Sequence, residues 1–179
     1  VNGSAKVGGL AGQNDGAITS SSVKGTVDAG TDGTITGGLV GENYGDIYDS
    51  FADAKVTAHG TVGGFAGNAG GSITRCYSLG DVYGADYVGG FAGRISYVDT
   101  AVSAGRVYIS GKQEQGYVGG FTGNLGGTIV GASAYITVKN VYGNCMTDGS
   151  PLPAAGRTDS QMSDGLTAAL AGMQLTSAS

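Results

Sequence analysis

Val62-Gly63-Gly64-Phe65-Ala66-Gly67 decides how this chain is read, because the sequence writes that hexapeptide five times. The other copies occupy residues 7–12 (VGGLAG), 36–41 (TGGLVG), 88–93 (VGGFAG) and 118–123 (VGGFTG). Their first glycines are Gly8, Gly37, Gly63, Gly89 and Gly119, so successive steps are 29, 26, 26 and 30 residues. Self-similarity at a period of roughly 20–50 residues marks a solenoid or a propeller.

Outward from the hexapeptide, the five units share one register. Six residues after its last glycine stands Ile18, Ile47, Ile73 or Ile129, and Val98 in the fourth unit, which is one residue short. Nine residues further on, every unit carries valine: Val27, Val56, Val82, Val107 and Val138. From three to nine residues after the isoleucine, the odd positions are small or apolar. The even positions hold the charges, such as Lys55, Asp81 and Arg106. Alternation of period two is the pattern of a strand with one buried face. A helix would carry four or five glycines per unit at about 0.8–1 kcal/mol each, so strand is the reading.

Between hexapeptide and isoleucine, Asn14-Asp15-Gly16, Asn43-Tyr44-Gly45, Ala69-Gly70-Gly71 and Leu125-Gly126-Gly127 read as turns, with glycine expected where φ is positive. Val62 and Phe65 lie three apart, and plain alternation would send them to opposite faces. A corner or bulge at Gly63-Gly64 brings both inward. Each unit then supplies two or three short strands and cannot bury a core alone. A propeller blade needs about 40–45 residues, more than one unit offers, so a right-handed parallel β-solenoid of five to six coils is expected. Coils would stack at about 4.8 Å. Columns of opposite charge support the stacking: Lys55, Asp81 and Arg106; Lys24 and Asp53; Asp49 and Arg75. Each exposed pair is worth about 0.2–1 kcal/mol, enough to set register but not to hold the fold.

The repeats fill residues 1–142 and a loop with a C-terminal cap fills 143–179. Residues 110–115 form an expanded polar turn, and 148–156, with both prolines, read as a loop. Thr158-Asp159-Ser160-Gln161 is a capping box, and residues 167–171 have the composition of a short helix that would cover the open end of the rod. The chain starts inside a repeat and reads as a piece of a longer protein.

Glycine, 37 of 179 residues, shows no G-X-Y register, so the chain is not collagen-like. A net charge of −5 with 13% charged residues argues against nucleic acid or an anionic membrane as partner. No stretch approaches the roughly 20 apolar residues of a bilayer span. Two cysteines make no disulfide framework. Cys76 falls in a small inward column as a buried thiol, and Cys145, at least two coils on, is beyond the roughly 7 Å reach of a bridge.

The form [VT]-G-G-[LF]-x-G, followed by Asn, a glycine turn and Ile, resembles the GLUG repeat family. The tail of each unit resembles it too, as in residues 73–82, and so does the closing stretch 156–162. Thr36 and the shortened stretch 94–98 depart from the pattern. The resemblance implies a large secreted or surface-attached bacterial protein. Adhesins are one such setting, and the region preceding the catalytic domain of IgA-cleaving metallopeptidases is another.

Chemistry was sought at the carboxylates, since β-solenoids can degrade polysaccharides. Asp49, Asp53 and Asp81 share a face, but each has a basic neighbour in its column, which is the pattern of a structural ladder. His59, the one histidine, stands by Gly60 as a surface turn residue. Asp15, Asp46 and Asp148 are turn formers rather than calcium ligands. No catalytic, metal or cofactor site is expected. The ten tyrosines are the uneven feature: Tyr83 and Tyr108 follow the valine column, while Tyr87 and Tyr117 precede the hexapeptide. These four are the candidate surface for a glycan or host protein, with a purely stabilising ladder as the simpler alternative. The expectation is a non-catalytic structural and adhesive module of an extracellular bacterial protein, binding other domains of its own polypeptide and not inserting in a membrane. The competing expectation is a non-catalytic region flanking the catalytic domain of a secreted IgA-type metallopeptidase or a glycan-active enzyme.

Overall fold

A computed structural model describes residues 1–109, 117–135, 138–139 and 156–157. Every regular element among them is a strand, and every strand pairing is parallel. A parallel pair needs a crossover between its strands. Here the crossover is the rest of the lap. Thr61–Gly63 leads through Ala66–Ser78 and Val82–Gly84 to Tyr87–Gly89, which lies in register on Thr61–Gly63. Five such hexapeptide strands form one sheet in chain order, and the remaining strands of each lap form a second sheet of 13 strands. The fold is a β-solenoid, with about four complete turns between its first and fifth hexapeptide rungs.

The files expected from the repeat are continuous. Val27, Val56, Val82, Val107 and Val138 pair rung on rung, as do Ile18, Ile47, Ile73, Val98 and Ile129. Phe65, Phe91 and Phe121 stack at ring-centroid distances of 4.9 Å, continuing upward from Leu39. All three rings are fully buried. Each is worth about 1.5–3 kcal/mol of transfer free energy, so the apolar files outweigh any surface ion pair.

The hexapeptide does turn at Gly63-Gly64, and both Val62 and Phe65 are buried. The turn drives the chain into the core as a V. A Cβ on Gly63 would stand 2.0 Å from Ala66 O, and one on Gly67 would stand 2.7 Å from Thr36 N. The two limbs therefore lie backbone against backbone. At the tip, a Cβ on Gly64 would meet Ser78 Oγ at 2.2 Å. This pinch divides the interior into two cores. One holds the Phe and Ile files, and the other holds the Val27 file with Val62 and Val88.

One expectation is corrected here, and one feature of the lap is new. The glycines of the Asn-Gly turns are not there for positive φ: among described glycines only Gly25 and Gly30 adopt it, at 121° and 55°. Gly45 is needed because a Cβ would lie 1.8 Å from Gly16 O in the coil below, and coil stacking leaves no room for one. A second corner, not foreseen from the sequence, precedes the alternating stretch. Ser20, Asp49, Arg75 and Thr100, each two residues after the isoleucine, have φ of 46°, 51°, 53° and 52°. A left-handed corner there puts both Ile73 and Cys76 inward, although they are three apart. Non-glycine residues in this region cost about 1–2 kcal/mol each, which the stacked arms on either side hold in place.

The fifth unit's Val138–Lys139 pairs with Val107–Tyr108, and past it Gly156–Arg157 pairs with Ala134–Tyr135 as a sixth rung on that arm. Gly156 is thus a strand residue rather than the end of a loop, and the sheet reaches beyond residue 142. The expanded turn 110–115, Cys145, the capping box and the helical stretch 167–171 lie outside the described residues.

Candidate ligand surface

Tyr83 and Tyr108 lie on consecutive rungs because each follows a stacked valine on the outward side. Their rings stack at 4.5 Å and 8°. Lys55, one rung below, sets its Nζ 4.7 Å from the centroid of the Tyr83 ring. Burial between these neighbours, then the charges of Tyr108 and Asp81, push the Tyr83 phenol up. With Tyr108 and Lys55 stacked against it, Tyr83 offers a ligand mainly its edge and hydroxyl.

Tyr87 and Tyr117 pair in register in the other sheet, the five-stranded one. The four nominated tyrosines therefore form two pairs in two sheets. Arg94 lies 4.1 Å over the Tyr87 ring. Tyr87 precedes the hexapeptide and Arg94 follows it, so this contact closes the mouth between the limbs of the V.

At the first two laps the same mouth is closed by charge. Lys6 Nζ lies 2.5 Å from Glu42 Oε2 and donates to Gln13 Oε1 at 2.7 Å. Tyr44 Oη and Asn68 Nδ2 donate to Glu42 Oε1 at 2.8 and 3.1 Å. Burial opposes ionisation of Glu42, but the hydrogen bonds from Lys6, Tyr44 and Asn68 outweigh it and hold its carboxyl below the usual range. Lys6 and Glu42 are 36 residues apart in unlike columns, and only the folding of the V brings them together.

Two rings outside these four are more exposed than Tyr83, Tyr87 and Tyr108. Tyr44 is 55% exposed and Tyr97 41%, both on the arm between hexapeptide and corner. Tyr44 sits within the Asn43-Tyr44-Gly45 turn, whereas Tyr97 directly precedes Val98 of the isoleucine file, in register with Ser72 and Thr128.

The carboxylates behave as structural groups. Asp49 accepts from Arg75 through Nε–Oδ1 at 2.6 Å and Nη2–Oδ2 at 2.9 Å, and the hydrogen bonds and charge of Arg75 lower its pKa. Asp81 accepts the Arg106 backbone N–H at 2.9 Å, while Lys55 turns to Tyr83 instead of Asp81. Lys24 and Asp53 face each other in register without closing an ion pair. His59 is exposed. Cys76 is fully buried, and burial pushes its thiol up to about 12. Among the described residues, no group of three His, Cys, Asp or Glu is placed to hold a metal ion, and no helix is long and apolar enough to cross a membrane.

Compared with known protein families, the chain matches the model described as the GLUG motif at residues 3–28, 32–57 and 58–83. Searches of the curated proteins and of the solved structures found no match. The units after residue 83 stack on the matched ones, with a register shift where the short fourth lap meets its neighbours, and the same apolar files run through all of them. Residues 3–83 are thus three tandem GLUG repeats, and the later laps carry the same files on from them.

Proposed function

We propose that the chain is a non-catalytic structural and adhesive module of a larger bacterial cell-surface or secreted protein, acting as a spacer that presents its side to a host protein or glycan. The observation that supports this reading is the unbroken pair of cores: the valine and phenylalanine files pass through successive laps without a break. A stack of this kind has length as its adjustable property, gaining about 4.8 Å per added lap. Asp49 and Asp81, two of the carboxylates considered for acid–base chemistry, are engaged in ladder contacts. Tyr44 and Tyr97 are the aromatic groups best presented for recognition.

An array of glycans and host proteins tests the reading, probed with the chain and with a Tyr44→Ala/Tyr97→Ala variant. Binding lost in the variant, with the circular dichroism spectrum unchanged, supports an adhesive side. Hydrolysis of a polysaccharide by the chain, abolished by Asp49→Asn or Asp81→Asn, would overturn it.

A further inference from the structure

Two tyrosine rings of this rod are covered by the chain's own cations. Lys55 Nζ stands 4.7 Å from the centroid of the Tyr83 ring, and the Arg94 guanidinium stands 4.1 Å over Tyr87. Tyr44 and Tyr97 have no such cover. They are 55% and 41% exposed, and among the described residues no cation stands over either ring. Lys6, the cation beside Tyr44, is held by Glu42 and Gln13 instead.

Both rings lie on the outward side of one arm, and each is followed two residues on by an outward carboxylate: Tyr44 by Asp46, Tyr97 by Asp99. Among the described residues neither carboxylate closes a salt bridge. Asp46 faces the neutral Tyr48 phenol, and Asp99 accepts from Thr100 Oγ1 at 2.9 Å. Arg75, whose charge reaches Asp99, is tied to Asp49 by two hydrogen bonds of 2.6 and 2.9 Å.

The third lap passes between the rings as Gly70-Gly71-Ser72. The Tyr44 ring lies against Gly70, where a Cβ would stand 3.5 Å from its Cδ1, and Tyr97 pairs in register with Ser72. No side chain larger than serine therefore rises between them. Two rungs along the rod and two residues along the strand put the rings about 12 Å apart. The hydrogen bond from Tyr44 Oη to Glu42 Oε1, 2.8 Å, fixes the first ring before any partner arrives.

We propose, resting on the adhesive reading of these two rings, that they form a docking surface for an extended basic protein segment. Its Lys or Arg side chains would cover Tyr44 and Tyr97 as Lys55 and Arg94 cover Tyr83 and Tyr87. Charge decides among the occupants. Each ring face attracts a cation, and the carboxylate two residues on supplies the counter-charge. A neutral glycan would stack on the rings but leave both carboxylate charges unmet. An acidic glycan would be repelled by them and by the chain's net charge of −5. In an extended segment, side chains four residues apart share one side at a distance of about 13 Å, close to the separation of the rings.

Fluorescence anisotropy of a labelled Arg-Gly-Gly-Gly-Arg peptide titrated with the intact chain tests this, beside Glu-Gly-Gly-Gly-Glu and a neutral glucan oligosaccharide. The arginine peptide should bind about tenfold more tightly than either, and severalfold more weakly when salt is raised. Tyr44→Ala/Tyr97→Ala should lose most of that preference and Asp46→Asn/Asp99→Asn part of it, while Tyr97→Phe, which keeps the ring, should retain it. If a variant unfolds, the peptide and salt comparisons on the wild-type chain still decide. No preference for the arginine peptide overturns the proposal, and so does a preference that both double variants keep. Glucan bound through Tyr44 and Tyr97 more tightly than the arginine peptide also overturns it, but leaves the adhesive reading standing. A chain that binds none of these probes and nothing on the glycan and host-protein array overturns both.

Discussion

The first and third laps carry the same motif and meet different fates. Leu10 in the first is 50% exposed, while Phe65 at the same motif position in the third is fully buried. Ile18 and Val23 are half-buried where Ile73 and Ser78 are sealed. Sequence similarity is therefore not burial: a lap is buried by the laps above and below it, and the first described lap lacks a full one on its outer side. The two regions also differ within the column after the hexapeptide. Asn14 donates to Asn43 at 2.7 Å, and from the third lap on that column becomes Ala69 and Ile95, both buried. Amides can ladder there because each finds its partner in the adjacent rung, and where the partner is apolar the file stays apolar.

The sharpest way to break the comparison is to cut equivalent side chains from an inner and an outer lap. Phe91→Ala removes a ring stacked on both sides and should cost about 3–5 kcal/mol, whereas Leu10→Ala should cost well under half of that. Urea denaturation of the two variants checks it, and equal losses would sink the idea that stacking sets the core.

Glycines of one turn column come next. A Cβ at Gly16 meets nothing within 4 Å, but at Gly45 it meets a carbonyl. Gly16→Ala should be near neutral, and Gly45→Ala should lose about 1–3 kcal/mol to overpacking, measured as the shift in thermal midpoint.

A stabilising change tests the opposite direction. Thr36 takes the place of a valine in the file with Val7 and Val62, fully buried, and its Oγ1 finds no hydrogen-bond partner. Thr36→Val should add about 1 kcal/mol, since the buried hydroxyl costs desolvation without return. A denaturation midpoint equal to or below wild type would count against it.

The smallest effect is in pH. The Glu42 pKa is lowered from its ordinary 4.5, so its contribution is fully present above 4.5 and is lost as pH falls through the lower folded-state value. Asp49, lowered by Arg75, acts with the same sign. Thermal midpoints between pH 6 and 3 should fall less steeply in Glu42→Gln than in wild type.

Much of the lap was legible before any coordinates. Val62 and Phe65, three apart and both apolar, disclosed the corner at Gly63-Gly64. The second corner left an equivalent trace that is readable only afterwards: Ile73 and Cys76 also break the alternation by an odd step, and the left-handed residue lies between them. Polar Ser20, Asp49, Arg75 and Thr100 hid it, because glycine, the usual marker of that conformation, stands there only as Gly131. The candidate surface was legible in part. That Tyr83 would stack on Tyr108 follows from the valine register. That Lys55 would cover Tyr83 and Arg94 would cover Tyr87 does not, since both contacts join different columns.

By itself the sequence determined the period, the strand-and-corner character of each lap and the residues that share a file. Identical backbones can stack in parallel only if their apolar positions recur in step. Tertiary structure alone decided which members of a file are sealed and which ring faces are occupied. It also decided that Lys6 meets Glu42, because these depend on what the neighbouring lap and the opposite limb place within reach, and no spacing along one chain records that.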